Sequence, residues 1–325
     1  MSYGGGGGGS GGGGSGSGSG AAGGTAGGRG GGIAYIMKFM GNRGVFGGGD
    51  TPPVVDTIEY ISISTPAATA TDFGNLTEAR RHLSATSDGS RGIFSGGNDP
   101  SYVDTIDYIT ISVAANAIDF GEISQARDIP SATANDSRGI IAGGRTDPAY
   151  SDTMEYITIA TTSDTIDFGE LTVGRGGLSA TSDGHRGVFA GGYSPRVNTI
   201  DHVTIDTAGN ASDFGDLISA RNQLASCSNG TRGVFAGGED PIFNLIDYIT
   251  IQVQSNAVDF GDVTQTRTQL DGASNGYRGV FGGGRTPPDA DVDTIDYIEI
   301  STLGDTTDFG NLSAVRRVLA ACSGD

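Results

Sequence analysis

Between positions 43 and 325 the apolar residues come in short runs broken by polar, glycine-rich turns, with no sustained helical periodicity. The run "DTIDYITIS", Asp104 to Ser112, is β-branched and aromatic. It puts Ile106 and Tyr108 on one side of a strand and offsets Ile109 and Ile111 towards the other, so such a strand must be covered on both faces. Before it come "RHLSATS", small and polar in its second half, and "RGIFSGG"; after it comes a fourth extended segment, Ile118 to Ile123. "SDG" and "SNG" between the first two segments suit tight hairpins, because Asn, Asp and Gly accept positive φ at little cost. The pattern predicts four short strands in about 47 residues.

That pattern recurs. The heptapeptide "RGVFAGG" and its variants start at Arg43, Arg91, Arg138, Arg186, Arg232 and Arg278, 46 to 48 residues apart. "DFG" starts at Asp72, Asp119, Asp167, Asp213, Asp259 and Asp308, and eight residues later stands a second arginine: Arg80, Arg127, Arg175, Arg221, Arg267 or Arg316. A fixed period of this length signals a repeat architecture whose units bury a core only together. Six units of four strands predict an all-β fold, a six-bladed β-propeller spanning 43–325. The small residues of "LSATSDG" and "LASCSNG" suit inner strands crowded around an axis.

The two ends of the repeat region are complementary halves of one unit. Val318 to Ser323 is expected to supply the inner strand of the blade begun by Arg43, since an open ring would leave edges unpaired. The competing candidate, the apolar connecting segment 33–42 with "IAYIMKFMG", is too bulky for a crowded axis. Tyr35, Met37, Phe39 and Met40 are instead expected to anchor the chain to another subunit or to a second copy of itself. Residues 1–32 hold 20 of the 58 glycines and read as a flexible or anchoring tail.

The order of arginine, small-residue strand, "GG" ending the second strand, Tyr60, Tyr108, Tyr156, Tyr248 or Tyr297 in the third and an aromatic further on resembles the kelch repeat. Phe73, Phe120, Phe168, Phe214, Phe260 and Phe309 stand where that family has tryptophan, and this chain has none. The wording "NTIDHVTIDTAGNASDFGDL" also resembles kelch-like repeat virion proteins of marine bacteriophages, particularly cyanophages. That resemblance implies a particle-borne structural protein: a tail fibre, appendage or decoration protein serving host attachment.

Charge narrows the partners. The net charge is −19 and Lys38 is the single lysine, so the basic stripe a nucleic-acid binder needs is missing. No apolar stretch reaches the length of a membrane span, and no signal peptide follows Met1, so cytosolic synthesis is expected; residence in the virion, after synthesis in host cytoplasm, is what the phage resemblance implies. The repeated arginines are expected to bind carboxylates or strand-end carbonyls between blades. Cys227 and Cys322 occupy equivalent positions in different units and read as unbridged buried thiols.

No enzyme is expected. Copper oxidases on kelch-type propellers need converging histidines, whereas His82, His185 and His202 sit at non-equivalent positions. No unique carboxylate pair stands out for glycoside hydrolysis. "DTID" lacks the spacing of a calcium loop, and six copies of "DFG" without the other kinase motifs are coincidence. Neither metal nor cofactor is expected.

Variation concentrates between "GG" and the third strand, in inserts such as "NDPSYV", "YSPRV" and "RTPPDADV" that carry eight of the ten prolines. Stiff loops on a rigid scaffold are where binding residues gather. By resemblance to kelch propellers these loops share a rim with the links between blades. Tyr102, Tyr150, Tyr193 and Phe243, with Arg145, Arg196 and Arg285, are the expected binding residues, offering stacking faces and bidentate donors to a bacterial surface glycan or a protein. The two functions this leaves are a virion component, anchored through its N-terminal segment to other virion proteins or as a homo-oligomer, and a cytosolic kelch-type interaction module.

Overall fold

The computed structural model describes residues 1, 4–7, 41–66, 69–239 and 241–324. From Arg43 onward they form six four-stranded antiparallel sheets, the blades of a β-propeller, with no helix among the described residues. The predicted all-β, six-bladed fold is therefore the observed one. Blade 2 has its strands at Ser84–Ser87, Arg91–Ser95, Thr105–Thr110 and Ile118–Glu122, from inside to outside. Blades 3 to 6 repeat this order, with inner strands Ser131–Ala134, Ser179–Ser182, Ala225–Ser228 and Asp271–Ser274.

Blade 1 is stitched from both parts of the chain. Ala320–Gly324 pairs antiparallel with Arg43–Gly47, which pairs with Thr57–Ser62 and then with Thr71–Asn75. The closing strand begins at Ala320, not at Val318 as the sequence suggested. Val318 has φ 50°, a left-handed conformation that turns the chain into the ring and cannot belong to an extended strand.

Six core clusters fill the spaces between blades. Each combines residues of two adjacent blades, as where Ile58 and Phe73 of blade 1 meet Phe94, Ile109 and Ile111 of blade 2. The third strands repeat the burial pattern expected of a sheet covered on both faces, with Ile106, Asp107 and Ile109 all buried. Tyr108 packs edge-on to Phe120 at 6.0 Å, and the other blades repeat this contact, with His202 taking the place of tyrosine in blade 4. The "DFG" glycine has a separate cause. Gly121 has φ 147° beside a β-bulge, and a Cβ there would lie 2.5 Å from the carbonyl of Ser163 in the next blade. That close approach lets Thr165 N–H of blade 3 bond Glu122 C=O, which covers the free edge of the outer strand.

Both arginine series tie blades together. Arg43 Nη1 lies 2.6 Å from Ile111 C=O of the next blade while its guanidinium stacks on Tyr60 at 4.4 Å. Equivalent bonds run from Arg91 to Ile159, Arg138 to Ile205, Arg186 to Ile251, Arg232 to Ile300 and Arg278 to Ile63. The second series is buried. Arg80 C=O accepts from Gly49 of blade 1, and its Nη2 lies 3.0 Å from Asp107 and 3.3 Å from Phe94 C=O of blade 2. The partners of Arg127, Arg175, Arg221, Arg267 and Arg316 are Glu155, Asp201, Asp247, Asp296 and Glu59.

Candidate functional site

Because strands alternate direction, the "GG" loops and the links between blades lie at the same end of the barrel of blades, around one mouth of the axis. In every blade the link and the loop meet in a two-residue bridge. The pairs are Arg81 with Asn98, Asp128 with Arg145, Gly176 with Tyr193, Asn222 with Glu239, Thr268 with Arg285 and Arg317 with Asp50. Their backbones bond alike, and no two pairs have the same residues at both the link and the loop position. One step inward, His82, Ile129, Gly177, Gln223, Gln269 and Val318 all have φ between 49° and 65°. Each N–H donates to the C=O of the equivalent residue one blade back, at 2.7–3.0 Å, and Val318 C=O receives His82 N–H to complete a closed circle of six bonds.

The sequence-predicted residues fall on this face in two ways. Tyr102, Arg145, Tyr150 and Tyr193 come together across blades 2, 3 and 4. Arg145 stacks over Tyr102 at 5.3 Å, and Tyr150 meets Tyr193 edge-on at 5.8 Å. Asp128 holds Arg145 in place through both carboxylate oxygens, at 3.1 and 2.7 Å, although burial raises the pKa of Asp128. Tyr193 is exposed, whereas Tyr102 and Tyr150 are half-buried and offer fewer ring atoms than their loop positions suggested. The reason is packing: each lies against the next guanidinium or ring of the row.

Phe243 and Arg285 take other places on this face. Phe243 is half-buried and lies 5.9 Å from the guanidinium of buried Arg221, so it roofs a structural ion pair. Arg196, half-buried, shares the loop of Tyr193. Arg285 belongs to a small hairpin, Arg285–Thr286 with Ala290–Asp291, and pairs with Asp289 at 2.8 Å. It is part of a charged network on the other side of the mouth, where Asp50 bridges Arg81 at 2.8 Å and Arg317 at 3.2 Å. Tyr35, Met37, Phe39 and Met40 lie outside the described residues.

Sequence reasoning missed Asp128, and it missed what lies below the mouth. A cavity of about 110 Å³ runs into the axis, lined by His82, Gln223, Gln269 and the first residues of the inner strands. One of these is Asp271, a carboxylate where blades 2, 3 and 4 have Ser84, Ser131 and Ser179. Its oxygens accept Gly272 N–H and Ala321 N–H, each at 2.8 Å, and burial pushes its pKa up to about 7. Burial and three nearby arginines pull His82 down to about 4. Superposing the six repeats on paper would have exposed Asp271, because it is the one acid within any inner strand.

The arrangement offers an aromatic and guanidinium surface beside a polar axial pit. Among the described residues no group of three or more His, Cys, Asp or Glu side chains could hold a metal ion, and no helix is long and apolar enough to cross a membrane. Cys227 and Cys322 are free and buried in blades 5 and 1, with thiol pKa values raised by burial. The sequence matches no protein-family model, and no curated protein is significantly similar to it.

Proposed function

We propose that the protein is a non-catalytic binding propeller that presents the row Tyr102, Arg145, Tyr150 and Tyr193 to a bacterial surface glycan or protein, as a component of a bacteriophage particle. The observation that carries the binding part is the row itself: aromatic faces and a fixed guanidinium continue across three blades, on loops that the bridge pairs hold rigid. Tyrosine rings stack on sugar faces or bury apolar area against protein, and a guanidinium oriented by Asp128 adds directed donors. The virion part rests on the sequence resemblance. The polarity of the molecule supports it, since the chain enters the ring at Arg43, paired with Gly324, at the end of the blades opposite the mouth. A ring that the chain enters opposite its recognition face suits display from a particle.

The test is binding of the purified protein to host cells and to isolated surface glycan, compared with the Tyr102→Ala, Tyr150→Ala, Tyr193→Ala triple variant. Loss of binding with an unchanged melting temperature supports the reading. Retained binding overturns the rim assignment, and absence of the protein from purified particles overturns the virion assignment.

A further inference from the structure

We infer that the axial cavity below the mouth is a binding site for a small primary ammonium ion, with Asp271 as its counter-ion and the carboxamide oxygens of Gln223 and Gln269 as further acceptors. This site is separate from the rim row and does not depend on it.

The lining is built of acceptors. Gln223 Oε1 and Gln269 Oε1 are buried without a protein donor, although both side chains line the cavity. Gln223 is oriented by its own Nε2, which reaches Glu239 at 3.2 Å and leaves the oxygen as the free end of the amide. A buried acceptor without a donor is costly, so a ligand that donates to two such oxygens recovers energy the protein has left unspent. No lysine or arginine lines the cavity, and His82, at a pKa of about 4, is neutral at neutral pH. The titratable groups on the strands packed beside Asp271 are the thiols Cys322 and Cys227, both pushed up and uncharged, and Arg278, which sits at the far end of the paired strand, outside the cavity lining, bonded to Ile63 C=O and stacked on Tyr297. Asp271 therefore supplies the one formal charge in the pit.

The geometry selects among cations. A calcium-class ion takes six to eight oxygen ligands, commonly with several carboxylates, and a single carboxylate is too little charge for it. A guanidinium prefers both carboxylate oxygens at once and would have to take the single lone pair that the backbone N–H bonds leave on each Asp271 oxygen. A primary ammonium needs one lone pair from the carboxylate and carries two more N–H donors for other oxygens. The cavity, about 110 Å³, is large enough for the attached short alkyl chain, which would lie against Leu224 and Leu270.

The experiment is calorimetric titration of the whole protein with n-butylammonium chloride at pH 6 and pH 8, with butylguanidinium and calcium chloride as comparison probes. Saturable one-to-one binding is expected at pH 8, weaker at pH 6 as Asp271 takes up its proton. Asp271→Ser, which installs the residue of blades 2 to 4, should weaken it about tenfold or more, the loss of one charge-assisted hydrogen bond. Gln269→Ala should weaken it several-fold, and it keeps the test decisive if the Asp271 variant folds poorly. The rim triple variant should bind the probe as the unaltered protein does. Absence of saturable binding, equal affinity in both cavity variants, or tighter binding of guanidinium or calcium overturns the assignment.

Discussion

Arg316 reaches across the seam of the ring to Glu59, Nη2 to Oε1 at 3.0 Å, with both side chains buried. The two residues are 257 positions apart, and the five other arginine–carboxylate pairs repeat the contact over separations of fewer than 30 residues. The seam is thus held by the same device as every other junction. It differs only in the length of chain that closes with it.

Arg316→Met is expected to cost about 3–5 kcal/mol, because it strands a buried carboxylate, while Arg316→Met with Glu59→Leu should recover much of the loss. Thermal unfolding of the two variants checks this. Equal destabilisation of single and double variants would show that the charge pair itself, and not the stranded partner, sets the effect.

Removing residues 318–325 strips the inner strand from blade 1 and exposes the edge of Arg43–Gly47. The expected product is aggregation-prone, with cooperative melting lost. A truncated protein that stays monomeric in light scattering and melts as before would refute a closure role for Ala320–Gly324.

Gly121→Ala should destabilise by about 1–3 kcal/mol, since φ 147° is strained for alanine and its Cβ would meet Ser163 C=O. Gly209→Ala is the control, for nothing lies within 4 Å of a Cβ there. Denaturant melts of the pair should differ by that amount; indistinguishable midpoints would remove the steric account of the "DFG" glycine.

Asp271 and His82 give opposite pH dependences. The folded pKa of Asp271, about 7, lies above its unfolded value, so its protonated form favours the native state and the stability it contributes falls as pH rises from about 4 through 7. His82 is depressed to about 4, so its contribution is present above its unfolded value of about 6.5 and is lost as pH falls towards 4. Asp271→Ser should therefore gain on the unaltered protein by about 1–3 kcal/mol at pH 8, and the gain should vanish near pH 4. A pH-independent difference would place the Asp271 carboxyl in ordinary water.

The repeat told the fold, because a period of 46–48 residues leaves few ways to bury strands apolar on both faces. The rim positions Tyr102, Arg145, Tyr150, Tyr193, Arg196, Phe243 and Arg285 stood out in the sequence because proline-stiffened inserts vary where the rest repeats, but which of them would meet in a row did not. Their degree of burial was not legible, since it depends on contacts between loops of different blades. Phe243 looked like its neighbours in sequence and became a roof over Arg221, a distinction that three-dimensional packing alone makes. Asp271 escaped for another reason: its position inside a strand reads as core until six inner strands are seen to face one cavity.

The circle through His82, Ile129, Gly177, Gln223, Gln269 and Val318 runs in one sense, every donor facing the carbonyl one blade back. A helix with aligned peptide groups ends in unsatisfied partners and carries a macrodipole. A loop of peptide dipoles arranged head to tail has neither end nor net moment in its plane. Its backbone therefore favours no one side of the mouth over another, and the differences around it belong to the side chains of the bridge pairs: arginine-rich towards blade 1, aromatic towards blade 4 and acidic at Glu239. Substitutions at those positions can rewrite what the mouth attracts without disturbing a single bond of the circle.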